Sequence, residues 1–149
     1  MRSAIRLLSL GLTLAAIPAS LHAQGREVVM INGRGGSATL SNGIKAGGMV
    51  YASGQLPART VTDSSIEVQT TSALENVKRV FEAAGTSMEN AVKCTVFLID
   101  VKDFQGMNAS YTKFWSPEKP PPARSTVVVA ALVSPGAKLE VECMATGGK

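Results

Sequence analysis

The chain has 149 residues, 45% of them hydrophobic, which suits one domain with an ordinary core. Without residues 1–23 the formal charge falls from +4 to +2 through the loss of Arg2 and Arg6, too near neutral for the basic stripe of a nucleic-acid binder. The single histidine, His22, leaves with them, which excludes Ser-His-Asp and Cys-His catalysis and the histidine-containing zinc sites.

Residues 1–23 carry the order of a secretory signal peptide. Arg2 and Arg6 form a basic start, Leu7 to Ile17 is an almost purely apolar run, and Pro18 breaks it before small residues lead to Ala23-Gln24. The run is too short to span a bilayer, which takes about 20 residues. The expectation is an exported protein with one domain over residues 24–149, periplasmic or secreted, and no membrane attachment once the signal is removed.

Residues 24–47 are rich in Gly, Ser and Asn, with a short strand expected at Val28 to Ile31 and a turn at Asn32 to Gly36. Gly33-Arg34-Gly35-Gly36 lacks the Lys-Ser/Thr ending of a phosphate loop and the spacing of a dinucleotide fingerprint, so it reads as a flexible turn. A second strand, Met49 to Ser53, is closed by Gly54 and Pro57. Ser64 with Glu67 is a capping-box pattern, and Thr70, Ala73, Val77, Val80, Phe81 and Ala84 then recur at helical spacing up to Gly85. Residues 92–99 alternate as a strand, with Val92, Cys94, Val96 and Leu98 on one face. Asp103 opens a second helix whose Phe104, Met107, Tyr111 and Phe114 read as core.

Pro120, Pro121 and Pro122 force an extended segment. Thr126 to Leu132 is apolar on both faces and must be covered on both sides. Lys138 to Thr146 is a last strand, with Leu139, Val141, Cys143 and Ala145 on one face and Lys138, Glu140 and Glu142 on the other. Cys94 and Cys143 thus sit on the apolar sides of their strands. They read either as two buried free thiols, the simpler case, or as a disulfide that export would permit. The element order is β-β-α-β-α-β-β, an α/β (α+β) chain of two helices on about five strands. Two helices cover one face only, so the other face is expected against another copy of the chain.

Several stretches resemble the RidA (reactive intermediate deaminase, YjgF-like) family. They are Val50-Tyr51-Ala52-Ser53-Gly54-Gln55-Leu56-Pro57, the helix with Gln69, Leu74, Asn76 and Glu82-Ala83-Ala84-Gly85, and the strand Val92 to Leu98 followed by Asp100 and Asp103-Phe104. Asn108 and Tyr111, the tetrapeptide Pro122-Ala123-Arg124-Ser125, and Lys138-Leu139-Glu140-Val141-Glu142 complete the set, in order across residues 40–146. The resemblance implies a chorismate-mutase-like mixed sheet with two helices on one face, assembled as a homotrimer with sites between subunits. It also implies hydrolysis of reactive enamines and imines, such as 2-aminoacrylate and 2-iminobutanoate, to 2-keto acids and ammonia, with no metal or organic cofactor.

Carried onto this chain, Arg124 is the carboxylate-binding arginine, Ser53 the turn serine near the substrate, Asn108 the helix asparagine at the cleft, and Glu140 the carboxylate linked to the attacking water. Where the family's deaminases place a tyrosine, this chain has Leu40. An imino acid sets a carboxylate beside an electrophilic carbon, and a guanidinium fork suits that carboxylate. The alternative is a module of the same fold that binds keto or amino acids without turning them over. RNA cleavage is disfavoured by the near-neutral charge and the missing histidine.

Overall fold

The computed structural model describes residues 25–147; the expected signal peptide at 1–23 lies outside the described residues. Eight principal elements follow one another: β1 (Glu27–Val28), β2 (Gly43–Ala46), β3 (Met49–Ala52), α1 (Ile66–Ala83), β4 (Ala91–Leu98), α2 (Phe104–Tyr111), β5 (Ala123–Val128) and β6 (Leu139–Thr146). The strands form one six-stranded sheet in the order β1-β2-β3-β6-β4-β5. Only the β4–β5 pair is parallel, joined through α2; the others are antiparallel. Both helices lie on one face, as their count required.

The core sits between that face and the helices. Val77, Val80 and Phe81 of α1 and Met107 and Tyr111 of α2 pack over Val50, Cys94, Val96, Leu98, Leu139, Val141, Cys143 and Ala145, all almost fully buried. Gly85 ends α1 with φ +82°, a left-handed position that only glycine takes without strain. The helix starts one residue later than the capping box implies. Ser65, not Ser64, is the extended residue at the cap, and its side chain holds the Glu67 carboxyl below the usual range.

Three expectations need correction. First, β2 falls within the stretch read as irregular. It forms a hairpin with β3 across Gly47-Gly48, both at positive φ, and Ala46 pairs with Met49. That is the two-residue turn that glycine pairs favour. Second, the strand expected at Thr126 to Leu132 runs instead from Ala123 to Val128, because its ladder follows β4, whose last residue, Leu98, pairs with Val128. Within one chain it is an edge strand, with Val127 and Val128 exposed rather than covered on both sides. Third, Val92 is not on the buried face. The β4–β6 register slips between Ala91 and Lys93, and Val92 is left at the bulge, exposed.

The cysteines are joined as a disulfide rather than left as two free thiols. Cys94 and Cys143 stand directly opposite each other on β4 and β6, with Cα atoms 4.1 Å apart. Alternation showed that both face inward. Only the register made them neighbours.

Candidate functional site

Arg124 is the second residue of β5 and pairs in parallel with Cys94, so its side chain leaves the sheet on the helix side. There it meets one face of α2. Its Nη2 donates to Asn108 Oδ1 at 2.7 Å, and Nη1 lies 3.8 Å from Met107 Sδ. The guanidinium carbon stands 4.5 Å from the Tyr111 ring centroid and 5.9 Å from that of Phe104. Phe104, Met107, Asn108 and Tyr111 follow helical spacing over two turns, which is why one face of the helix can hold a planar cation.

The ion pairs among the described residues do not include Arg124. It is half-buried, oriented by a neutral amide, and has no carboxylate partner among the described residues. A guanidinium has five donors, so the bond to Asn108 leaves a fork for an anion. Burial pushes the Tyr111 hydroxyl up to about 12, against the opposing effect of Arg124, so the phenol stays neutral beside the cation. The Tyr111 hydroxyl and Thr126 Oγ1 are buried without hydrogen-bond partners among the described residues, in this same layer between α2 and β5.

The other two expected residues form a second group. Ser53 follows β3, and its hydroxyl donates to the Ser41 carbonyl at 2.6 Å. Gln55 pairs with Val141 through both backbone groups, at 2.8 and 3.0 Å, and its side-chain amide donates to the Ser53 carbonyl at 2.8 Å. This clamp brings the turn against β6. The Glu140 carboxylate then lies on Gly54, in space that a Cβ at that position would occupy. Gly54 is therefore the seat of Glu140, and any larger residue would move the carboxylate. Burial, then the neighbouring Glu142, raises the Glu140 carboxyl above its ordinary range. Beside this turn opens a pocket of about 410 Å³, lined by Ile31, Arg34, Leu40, Ser53, Gly54 and Gln55 among others.

Arg124 with Asn108, and Ser53 with Glu140, are thus two pairs and not one cluster. Arg124 shares the helix side with Cys94, whereas Glu140 pairs with Phe97, three residues on, and projects from the open face. The sheet itself separates them. Sequence reading missed Met107 and Tyr111 as the bed of Arg124, since their spacing fits core equally well, and missed Gly54 as the seat of Glu140.

Residues 34–147 match the Ribonuc_L-PSP family, described as endoribonuclease L-PSP. The chain is 40% identical over 107 residues to the 2-iminobutanoate/2-iminopropanoate deaminase of Salmonella typhimurium, covering 69% of this chain and 83% of that one. A Rid-family protein of unknown function from Yersinia pestis superposes with TM-score 0.73 at 32% identity, over 82% of this chain and 99% of the other. A YjgF-family protein from Neisseria meningitidis shares the fold with TM-score 0.75 at 20% identity, over 86% and 99% of the two chains.

Proposed function

This chain belongs to the RidA/YjgF family, the endoribonuclease L-PSP family by its general description, and from that premise we propose that it hydrolyses 2-imino acids and their enamine tautomers to 2-keto acids and ammonia. The substrates are of the 2-aminoacrylate and 2-iminobutanoate type. The observation that carries the proposal is a half-buried guanidinium with no carboxylate partner among the described residues, held by Asn108 over the Tyr111 ring.

In this reading Arg124 binds the substrate carboxylate by two charge-assisted bonds, which places the adjacent C=N carbon. Water adds to that carbon of the protonated imine, and Glu140 takes its proton; the raised affinity of that carboxyl for protons suits an acceptor working near neutral pH. The product of addition is a carbinolamine. Glu140 returns the proton to the amine nitrogen, the C–N bond breaks to release ammonia, the hydroxyl proton passes to that ammonia, and 2-keto acid and ammonium leave. Protonated imines are already electrophilic, so orientation and one weak base suffice. No step requires a metal or organic cofactor.

Because the sheet divides the two half-sites, the working cleft is completed by a neighbouring copy in a homotrimer. The exposed Val127 and Val128 and the uncovered sheet face support that assembly. The signal-like residues 1–23 and the disulfide support export to an oxidising compartment.

The test couples an amino-acid oxidase to this protein and follows ammonia release. Wild type accelerates it, and Arg124→Ala lowers kcat/KM on the order of 100-fold, as expected when one partner of a desolvated charge pair is lost. Equal rates for the two proteins would refute the proposal. Calorimetric binding of 2-ketobutyrate without any acceleration would establish the non-catalytic binding module instead.

A further inference from the structure

We infer that Asn32 is a site of covalent modification: its side-chain amide is lost by ring closure onto the Gly33 nitrogen, which leaves aspartate or isoaspartate there, whereas Asn42 keeps its amide. The inference does not rest on the deaminase reading.

Asn-Gly occurs twice, at Asn32-Gly33 and Asn42-Gly43. A glycine has no side chain to shield its nitrogen, so in an unfolded chain both pairs are open to this reaction. The fold separates them. Asn32 and Gly33 are the central residues of an exposed turn, at φ +50° and +73°. Ile31 and Arg34 close it, each N–H donating to the other's carbonyl at 2.9 and 3.0 Å, in a bridge isolated from the named strands. The Gly33 N–H takes no part in that bridge. Nothing lies within 4 Å of where a Gly33 Cβ would stand, so a succinimide ring has room. Asn32 must leave its left-handed conformation for the nitrogen to reach the amide carbon. That costs the two bonds of one solvent-exposed turn, a local opening that leaves the core undisturbed.

Asn42 is held far more firmly. Its side-chain amide donates to the Arg34 carbonyl at 2.7 Å and to the Val29 carbonyl at 3.3 Å. Its backbone N–H donates to the Gly35 carbonyl at 2.8 Å, and its own carbonyl accepts from the Ser53 N–H at 3.2 Å. Gly43 is buried at the start of β2, where an added Cβ would meet Val80 Cγ1 at 2.7 Å and the Tyr51 carbonyl at 2.9 Å. Bringing the Gly43 nitrogen onto the Asn42 side chain therefore requires the start of β2 to leave the sheet.

In the reaction the Gly33 nitrogen gives its proton to hydroxide and attacks Cγ of Asn32. The bond from Cγ to the side-chain nitrogen breaks, and that nitrogen takes a proton from water and leaves as ammonia. Water then opens the ring at either carbonyl, so that one water is consumed for each ammonia released. Opening at one carbonyl gives aspartate. Opening at the other gives isoaspartate, which routes the main chain through the former side chain and lengthens the turn, so Ile31 and Arg34 lose their register.

Tryptic cleavage after Arg26, Arg34 and Lys45 puts the two pairs on separate peptides, 27–34 and 35–45. The full chain is held folded in mildly alkaline buffer, and in strong denaturant in parallel, and both peptides are followed by mass spectrometry. In the folded protein, peptide 27–34 is expected to convert to two chromatographically distinct products of equal mass. Peptide 35–45 is expected to convert more slowly on the order of 100-fold, the worth of a few hydrogen bonds opened together. In denaturant the two rates are expected to converge. Equal rates in the folded protein, or faster conversion of Asn42, would overturn the inference. So would conversion of peptide 27–34 in denaturant alone, which would show that the turn protects Asn32.

Discussion

Glu140 shows how one carboxylate is prepared by its surroundings. Gly54 lets the turn come close enough to desolvate it, and Glu142, two residues on along the same strand face, adds repulsion. Both effects raise its pKa above the unfolded value, so the ionised form destabilises the folded state. That penalty is absent below the ordinary carboxylate range, appears as pH rises through the folded pKa, and is complete above it. Glu140→Gln is therefore expected to raise the melting temperature slightly at pH 7. The difference from wild type should vanish as the pH is lowered through the ordinary carboxylate range. The same substitution should remove the acidic limb of the kcat/KM–pH profile along with most of the activity. A variant that is less stable at neutral pH would show that Glu140 is held by attraction instead.

At the scale of elements, the pairing of β4 with both neighbours does most to build the site. One row across the sheet reads Arg124, Cys94, Cys143 from β5 through β4 to β6. The disulfide ties the inner two strands of that row, which sets the arginine's strand against a cross-linked pair. Closing a loop of 49 residues restricts the unfolded chain by about 4 kcal/mol in the entropic account. Protein recovered from outside the cytoplasm is expected to begin after residue 23 and to react with a thiol reagent only after unfolding and reduction. Peptide mass mapping reads both. A start at Met1 with two alkylatable cysteines would remove the case for export. Gln69 plays a comparable part by hydrogen bonding alone. Fully buried on α1, it donates to the Thr62 and Gly136 carbonyls at 2.8 and 3.2 Å and accepts from the Lys138 N–H at 2.8 Å, fixing the turn that leads into β6.

For the whole molecule, the decisive feature is that Arg124 and Glu140 leave opposite faces of one sheet. If they serve one reaction, they come from different copies. This makes a complementation test possible. Arg124→Ala and Glu140→Gln, each inactive alone, should recover about a quarter of wild-type activity when co-refolded in equal amounts, since closed symmetric assembly creates some clefts with both native groups. No recovery from mixed oligomers would mean that the two residues do not share a site. The open face carries Tyr51 and Met144, both well exposed, next to Lys93, Thr95 and Glu142 around a groove of about 210 Å³. That mixture is unlike a finished outer surface and is consistent with burial against another subunit.

Local pattern determined a good deal by itself. The period of 3.6 in α1, its Gly85 stop, and the alternation in β4 and β6 were all legible, because burial on one side imposes those repeats on the residues. Arg124, Asn108, Ser53 and Glu140 were named on a different ground: the stretches around them resemble the family's motifs, and periodicity alone does not single them out. The β2–β3 hairpin was missed although Gly47-Gly48 marked its turn, since a strand of four residues with little apolar content gives almost no periodic signal. Which strands lie side by side, and in what register, is set by contacts between residues far apart in the chain. Register made Cys94 and Cys143 partners, exposed Val92 at a bulge and ended β5 at Val128. It also sent Arg124 and Glu140 to opposite faces, which one-dimensional spacing cannot express.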